Sequence, residues 1–187
     1  MADIPTTFDI GGGASAGLSA LQFVQSLLTG ARTAVIQVEN YTSLTLFYKG
    51  RKDYHGLLKA FPADTIEPGK ANIFGAQNKG GSFMTGAEGY VYYAGSKSLL
   101  TTSYFGQDPL PGDTGVLGEF YLLVQWDLPF IGDPFSAQGN SASAQLTGGY
   151  RNNYKVRKFA GGGSDNVQFL FRLYEKDQIA GPQIADL

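Results

Sequence analysis

From Ala14 to Thr29 the polar positions fall on one narrow stripe. Ser15, Ser19, Gln22, Ser26 and Thr29 recur at helical spacing, while Ala16, Ala20, Leu21, Phe23, Val24, Leu27 and Leu28 fill the rest of the circumference. The pattern predicts an amphipathic helix with an uncharged polar face; the nearest charges are Asp9 and Arg32. A surface helix normally turns Lys, Glu or Arg outward, because these are good helix formers and solubilise the exposed side. An uncharged stripe suits packing on a protein in water, and equally suits a helix with one face in lipid and the other against a water-filled channel. Upstream lies Gly11-Gly12-Gly13, and glycine costs a helix about 1 kcal/mol per residue relative to alanine. Asp3 to Gly13 is therefore expected to be loose. If Asp3 to Thr29 became helical throughout, about 27 residues would extend about 40 Å, against a bilayer core of about 30 Å.

Past Arg32 the pattern changes to alternation. Thr33 to Glu39, Ser43 to Tyr48, Ala71 to Phe74, Gly89 to Ala94, Ser98 to Phe105, Glu119 to Trp126, Tyr154 to Phe159 and Val167 to Tyr174 read as strands rich in Val, Ile, Leu, Thr, Tyr and Phe. Clusters of Gly, Asn, Asp and Pro separate them. This spacing predicts a mainly β fold, an antiparallel sandwich or closed barrel rather than alternating α/β units. Ser136 to Gly149 reads as a mobile loop or a weak strand.

A length of 187 residues with 43% hydrophobic and 16% charged side chains suits one globular domain. Within it, residues 1–30 form an N-terminal amphipathic segment and 31–187 the β core. A net charge of -2 gives no basic footprint for nucleic acid and no polybasic patch for anionic lipid. Any membrane contact must then rest on aromatic and apolar surface. The absence of cysteine excludes a disulfide framework, a thiolate metal site and a cysteine nucleophile. No run of eighteen apolar residues is present, so no constitutive span is expected. The start, Met-Ala-Asp-Ile-Pro, lacks the basic flank and apolar stretch of a signal peptide. Secretion would imply a removed leader or unconventional export. Hydrolase, metalloprotease and phosphate-loop motifs are missing, and the one histidine, His55, builds no cluster by itself. The chain reads as a non-enzyme with no catalytic residues, no cofactor and no metal.

The order of pieces is similar to that of a known family. An amphipathic helix is followed by Ala34-Val35-Ile36-Gln37-Val38-Glu39-Asn40, then Pro68-Gly69-Lys70-Ala71, Gln77, and Thr85-Gly86-Ala87-Glu88-Gly89. With Tyr90 to Ala94, the closing Tyr154-Lys155-Val156-Arg157 and Val167 to Tyr174, these resemble the actinoporins, α-pore-forming cytolysins. The resemblance implies a compact antiparallel β-sandwich flanked by an N-terminal amphipathic helix, with room for a second short helix. It also implies a secreted soluble monomer that binds membrane lipid, usually sphingomyelin, assembles as a homo-oligomer in the target cell membrane and swings the helix through the bilayer. Ser15, Ser19, Gln22, Ser26 and Thr29 would then face the lumen.

The family's headgroup site transfers unevenly. A basic residue followed by Ser-Gly is matched by Tyr54, His55 and Gly56, and a small apolar residue is replaced by Glu88. The family's aromatic-rich loop corresponds to Tyr104 through Asp113, where only Tyr104 and Phe105 are aromatic. The Arg-Gly-Asp triplet becomes Ile131-Gly132-Asp133. A sphingolipid, another headgroup or a glycan remains open as the receptor. The candidate membrane contacts are Tyr54, His55, Glu88, Tyr104, Phe105, Trp126, Phe130 and Phe135; for Trp126 and Phe130 the alternative is core filling. A carbohydrate-binding sandwich of similar fold without pore formation is the rival reading. Asn40-Tyr41-Thr42 matches a glycosylation sequon, although a strand end favours a turn role for Asn40.

Overall fold

The computed structural model describes residues 6–12, 14–79, 86–96, 120–129, 139–163 and 165–177. Strand β2 (Thr33–Asn40) is buried on both faces apart from half-buried Gln37. One face looks into the core and the other toward a helix, so the run Ala34-Val35-Ile36 is apolar without alternation. The remaining strands are β1 (Thr7–Asp9), β3 (Thr45–His55), β4 (Leu57–Ala60), β5 (Thr65–Ile66), β6 (Lys70–Gln77), β7 (Ala87–Ser96), β8 (Phe120–Leu128), β9 (Ser141–Thr147), β10 (Tyr154–Gly162) and β11 (Asn166–Glu175). The helix α1 is Ala14–Leu27. A 3₁₀ turn, Arg151–Asn153, takes the place of a second helix among the described residues.

Two sheets face each other. The first runs β1-β6-β2-β11-β10 with β4 also on β6, and the second runs β5-β3-β7-β8-β9. The sandwich is antiparallel except for β2 and β11, which pair in parallel from Thr33↔Asn166 to Asn40↔Leu173. Inward side chains from both sheets, among them Ile36, Phe74, Tyr93, Phe120, Trp126 and Phe171, form one apolar core. Phe74 meets Trp126 edge-on at 6.2 Å, and Phe120 lies 4.2 Å from Tyr154. At the end of β2, Asn40 is fully buried. Its amide donates to the carbonyls of Leu44 (2.7 Å) and Ile66 (2.9 Å) and accepts from the Thr42 amide and hydroxyl. Asn40 is thus a turn residue, and the sequon is structural.

Several sequence expectations are corrected. Within the stretch before the helix, residues 7–10 are tied down rather than loose: β1 pairs with Lys70–Asn72, Ile10 donates to Gly69, and Asp9 meets Lys70 at 3.1 Å. Its backbone hydrogen bonds and the Phe8 ring, packed toward α1, outweigh the glycine entropy. Of the two readings of Ser136 to Gly149, the strand holds: Ser141–Thr147 completes the second sheet. Tyr54 and His55 end β3, and the turn falls on Gly56, whose φ of 78° favours glycine. The expected strand at Ser98 to Phe105 lies outside the described residues.

Helix α1 rests on the outer face of the first sheet. Val24 and Ala20 are buried, and Leu21, Phe23 and Leu28 half-buried, over Val35, Ala60 and Ile73. Gly75 permits the approach, because a Cβ there would lie 2.8 Å from Val24 Cγ1. Ala16 is half-buried, and Leu27 is 37% exposed and outside the seat, as is Leu18. Ser15, Ser19, Gln22 and Ser26 are exposed as the periodicity predicts. Thr29 lies beyond the helix, where Gln77 Oε1 accepts its N–H at 2.8 Å and that of Gly30 at 3.1 Å. This side-chain acceptor holds the chain off its helical path, which removes Thr29 from the stripe.

Candidate functional site

Two places on the molecule carry the sequence-derived candidates. The first is the mounting of α1. The helix touches β1, β2, β4 and β6 through its own small cluster, separate from the core between the sheets. Beside its last turn a groove of about 270 Å³ opens between Gln25, Leu28, Val35 and Gln168. Immediately after the helix, Arg32 is buried; its guanidinium donates to the carbonyl of Pro129 and to Asn140 Oδ1 (2.7 Å), and its N–H to Asn78 Oδ1 (3.1 Å). Arg32 fixes the base of the N-terminal segment to the sandwich, and residues 29–31 form the link between anchor and helix.

The second place is a depression of about 200 Å³ on the outer face of the second sheet, lined by Tyr54, Glu88, Gln125, Asp127, Ser141 and Ser143, with Gly89, Trp126 and Ala142. Strand register builds it. His55, Glu88, Asp127 and Ser141 form one row across β3, β7, β8 and β9, and Tyr90, Gln125 and Ser143 form the next. Glu88 and Asp127 are direct cross-strand partners, so two carboxylates face each other where like charges destabilise a sheet. His55 Nε2 stands 3.9 Å from Glu88, and Tyr54 is 48% exposed with its ring 6.0 Å from that of Tyr90.

The structure therefore brings Tyr54, His55, Glu88 and Trp126 together. Trp126 is 2% exposed and belongs to the core, so its ring is not offered to a membrane; inward parity along β8 decides this. Its Nε1 has no hydrogen-bond partner. Tyr104, Phe105, Phe130 and Phe135 lie outside the described residues. Gln125, Asp127, Ser141 and Ser143 were not visible as candidates, because only strand pairing aligns them. Tyr90 and Tyr92 alternate outward on β7, with Tyr92 stacked on Tyr121 at 5.4 Å, a period-two signal available in the sequence. Burial pushes the phenol of fully buried Tyr93 far up, keeping it neutral in the core.

Gly89 leaves room for the Trp126 ring on the core side of β7. A Cβ there would lie 2.5 Å from the Lys52 carbonyl oxygen and 2.7 Å from Trp126 Cζ2. Gly89→Ala is expected to destabilise the fold by about 1–3 kcal/mol through overpacking, read as a lower urea midpoint at unchanged slope. A midpoint equal to that of the wild type would show that the indole has room to move.

No protein-family model and no curated protein matches the sequence. Among solved structures the chain is similar in fold to the lipid-binding protein Nakanori, with a TM-score of 0.58, 11% sequence identity, and coverage of 83% of this chain and 76% of that one. At that identity the likeness is one of fold alone.

Proposed function

We propose that the chain is a membrane-lipid-binding protein that releases its N-terminal segment, oligomerises and inserts α1 as part of a transmembrane pore, the actinoporin-like mechanism. The observation that carries this reading is the mounting of α1: an uncharged helix on a small outer cluster whose departure leaves the main core intact. Burial of Leu21, Phe23, Val24, Leu27 and Leu28 in full would hold it by on the order of 10 kcal/mol; with Val24 buried, Leu27 excluded and the others half-buried, the hold is on the order of 5 kcal/mol. Lipid replaces that burial nearly one for one. The lipid-binding neighbour of similar fold supports the membrane as partner.

Insertion asks for more than α1. No helix among the described residues is long and apolar enough to cross a membrane. Fourteen residues reach only about 21 Å, so β1 must leave β6 and join the helix. Several copies then turn Ser15, Ser19, Gln22 and Ser26 toward a common lumen, which keeps the hydroxyls and amide away from lipid. The protein acts without catalysis, as a secreted form that moves to a target membrane.

Dye release from liposomes of phosphatidylcholine alone, with sphingomyelin, or with a neutral hexosylceramide tests the proposal. Leakage from at least one composition is expected, without an absolute need for sphingomyelin, because Tyr54, His55 and Glu88 replace the family's headgroup residues. Absence of leakage from all of them, despite binding by flotation, would remove the pore.

A further inference from the structure

We infer that the outer face of β10 and β11, beside α1, docks on an anionic phospholipid bilayer, with Arg157, Arg172 and Lys155 meeting the lipid phosphates. This deepens the proposed lipid binding by naming the contact face and the headgroup charge, and it rests on that reading for the membrane as partner.

Strand register assembles the face. Val167, Phe169, Phe171 and Leu173 of β11 enter the core, so Leu170, Arg172 and Tyr174 point outward. Their partners across β10 are Phe159, Arg157 and Lys155. Helix α1 covers another part of the same side of this sheet, over Val35, Ala60 and Ile73. A bilayer resting on β10 and β11 therefore lies alongside the element proposed to enter it.

Arg157 and Arg172 are direct cross-strand partners, a like-charge pair that weakens a sheet. Cations on an edge strand such as β10 commonly guard against strand addition, but Arg172 lies one strand further in, where that role is absent. Its guanidinium is held in place: Nε donates to Glu39 Oε2 at 2.8 Å, and the group sits 4.9 Å from the centre of the Phe159 ring. Glu39 is buried, and its carboxylate also accepts from Gln37 Nε2 (2.7 Å) and the Tyr41 hydroxyl (3.0 Å). The Arg172 Nη groups have no hydrogen-bond partner among the described residues, and exposed Arg157 and Lys155 have no partner there either. Opposed guanidinium groups are relieved by an anion with several acceptor oxygens, which a phosphate supplies in the geometry their donor forks match.

The side chains around them suit a headgroup layer. Tyr174 stacks on Tyr41 with ring centres 4.9 Å apart, and Phe159 and Leu170 are half-buried in the adjacent row. The net charge of -2 conceals this strip, because Glu88 and Asp127 stand on the outer face of the other sheet. Among the outward side chains of β2, β11 and β10, Glu39 is the one acid against Arg157, Arg172 and Lys155.

The test is flotation of the full chain with vesicles of phosphatidylcholine alone or with phosphatidylglycerol added. Stronger partition onto the anionic vesicles is expected, falling as salt is raised. Arg157→Gln and Lys155→Gln should each lower that partition about fivefold, the effect of one charge near an anionic surface. Lys49→Gln, which removes an exposed charge from the other sheet, should leave it unchanged. Arg157→Gln should melt at the same temperature as wild type or higher, since the like-charge pair is gone; weaker partition without lost stability is a signature that a merely structural arginine does not give. Equal partition onto both kinds of vesicle, or Arg157→Gln and Lys155→Gln partitioning like wild type, would overturn the assignment. So would an Arg157→Gln chain that keeps its partition but loses self-association in solution, which gives the strip to a second copy. Leakage from neutral vesicles with no gain from phosphatidylglycerol would overturn this inference alone; salt-sensitive partition without leakage would instead overturn the pore.

Discussion

Oxidised Val24→Cys/Gly75→Cys protein is expected to bind membranes and release no dye. A Cβ built on Gly75 lies 2.8 Å from Val24 Cγ1, which brings the two Cβ atoms near the separation a disulfide spans. The chain has no cysteine of its own, so the bond formed is a single defined one. It ties the middle of α1 to β6 while leaving the core between the sheets and the outer face of the second sheet unaltered. Reductant should restore leakage. The reduced double variant is the control, because the new side chain at Gly75 also comes within 3.1 Å of Leu28 and strains the seat by itself. Full leakage from protein verified as oxidised would falsify release of the helix.

The second large effect separates the two faces of α1. Val24 is fully buried, so Val24→Asp places a carboxylate under the helix at a cost of several kcal/mol, and the same carboxylate on the lipid side of an inserted helix is disfavoured again. Leakage should vanish. Ser19 is exposed, and its hydroxyl only donates back to the Ser15 carbonyl at 2.9 Å, so Ser19→Asp should leave the soluble fold near wild-type stability. In the pore a ring of these carboxylates should raise cation preference. Planar-bilayer recordings across a salt gradient read this directly. Equal reversal potentials for wild type and a conducting Ser19→Asp would take the polar stripe out of the lumen.

The stripe was legible because four of its positions follow one helical period that tertiary packing leaves alone. Thr29 failed the pattern because Gln77, distant in sequence, captures its N–H. Long strands such as β2 and β11 announced themselves through Val, Ile and Phe, whereas β1, β4 and β5 are too short for any period to emerge. The second half of β3, Lys49 to His55, pairs with β7 but is mostly exposed or half-buried, so Gly50, Arg51, Lys52 and Asp53 hid it. Trp126 was decidable from parity with Phe120, Leu122 and Val124. The facing of Glu88 and Asp127 was not, since it depends on which residue of β8 stands opposite each residue of β7.

The parallel partnership of β2 with β11 joins residues 133 positions apart, as at Thr33 and Asn166. Such a closure sets the order of events during synthesis. Everything that seats α1, namely β1, β2, β4 and β6, has emerged by Gln77, so the helix can dock on its hairpin partners while most of the chain is still being made. β2 acquires its other neighbour only when β11 arrives. Pairing over so long a loop is slow to nucleate, and until then one edge of β2 is an open template for another chain. The early-docked helix covers Val35 and Ile73 throughout this interval, so the segment proposed to attack a membrane also shields the nascent sheet that carries it.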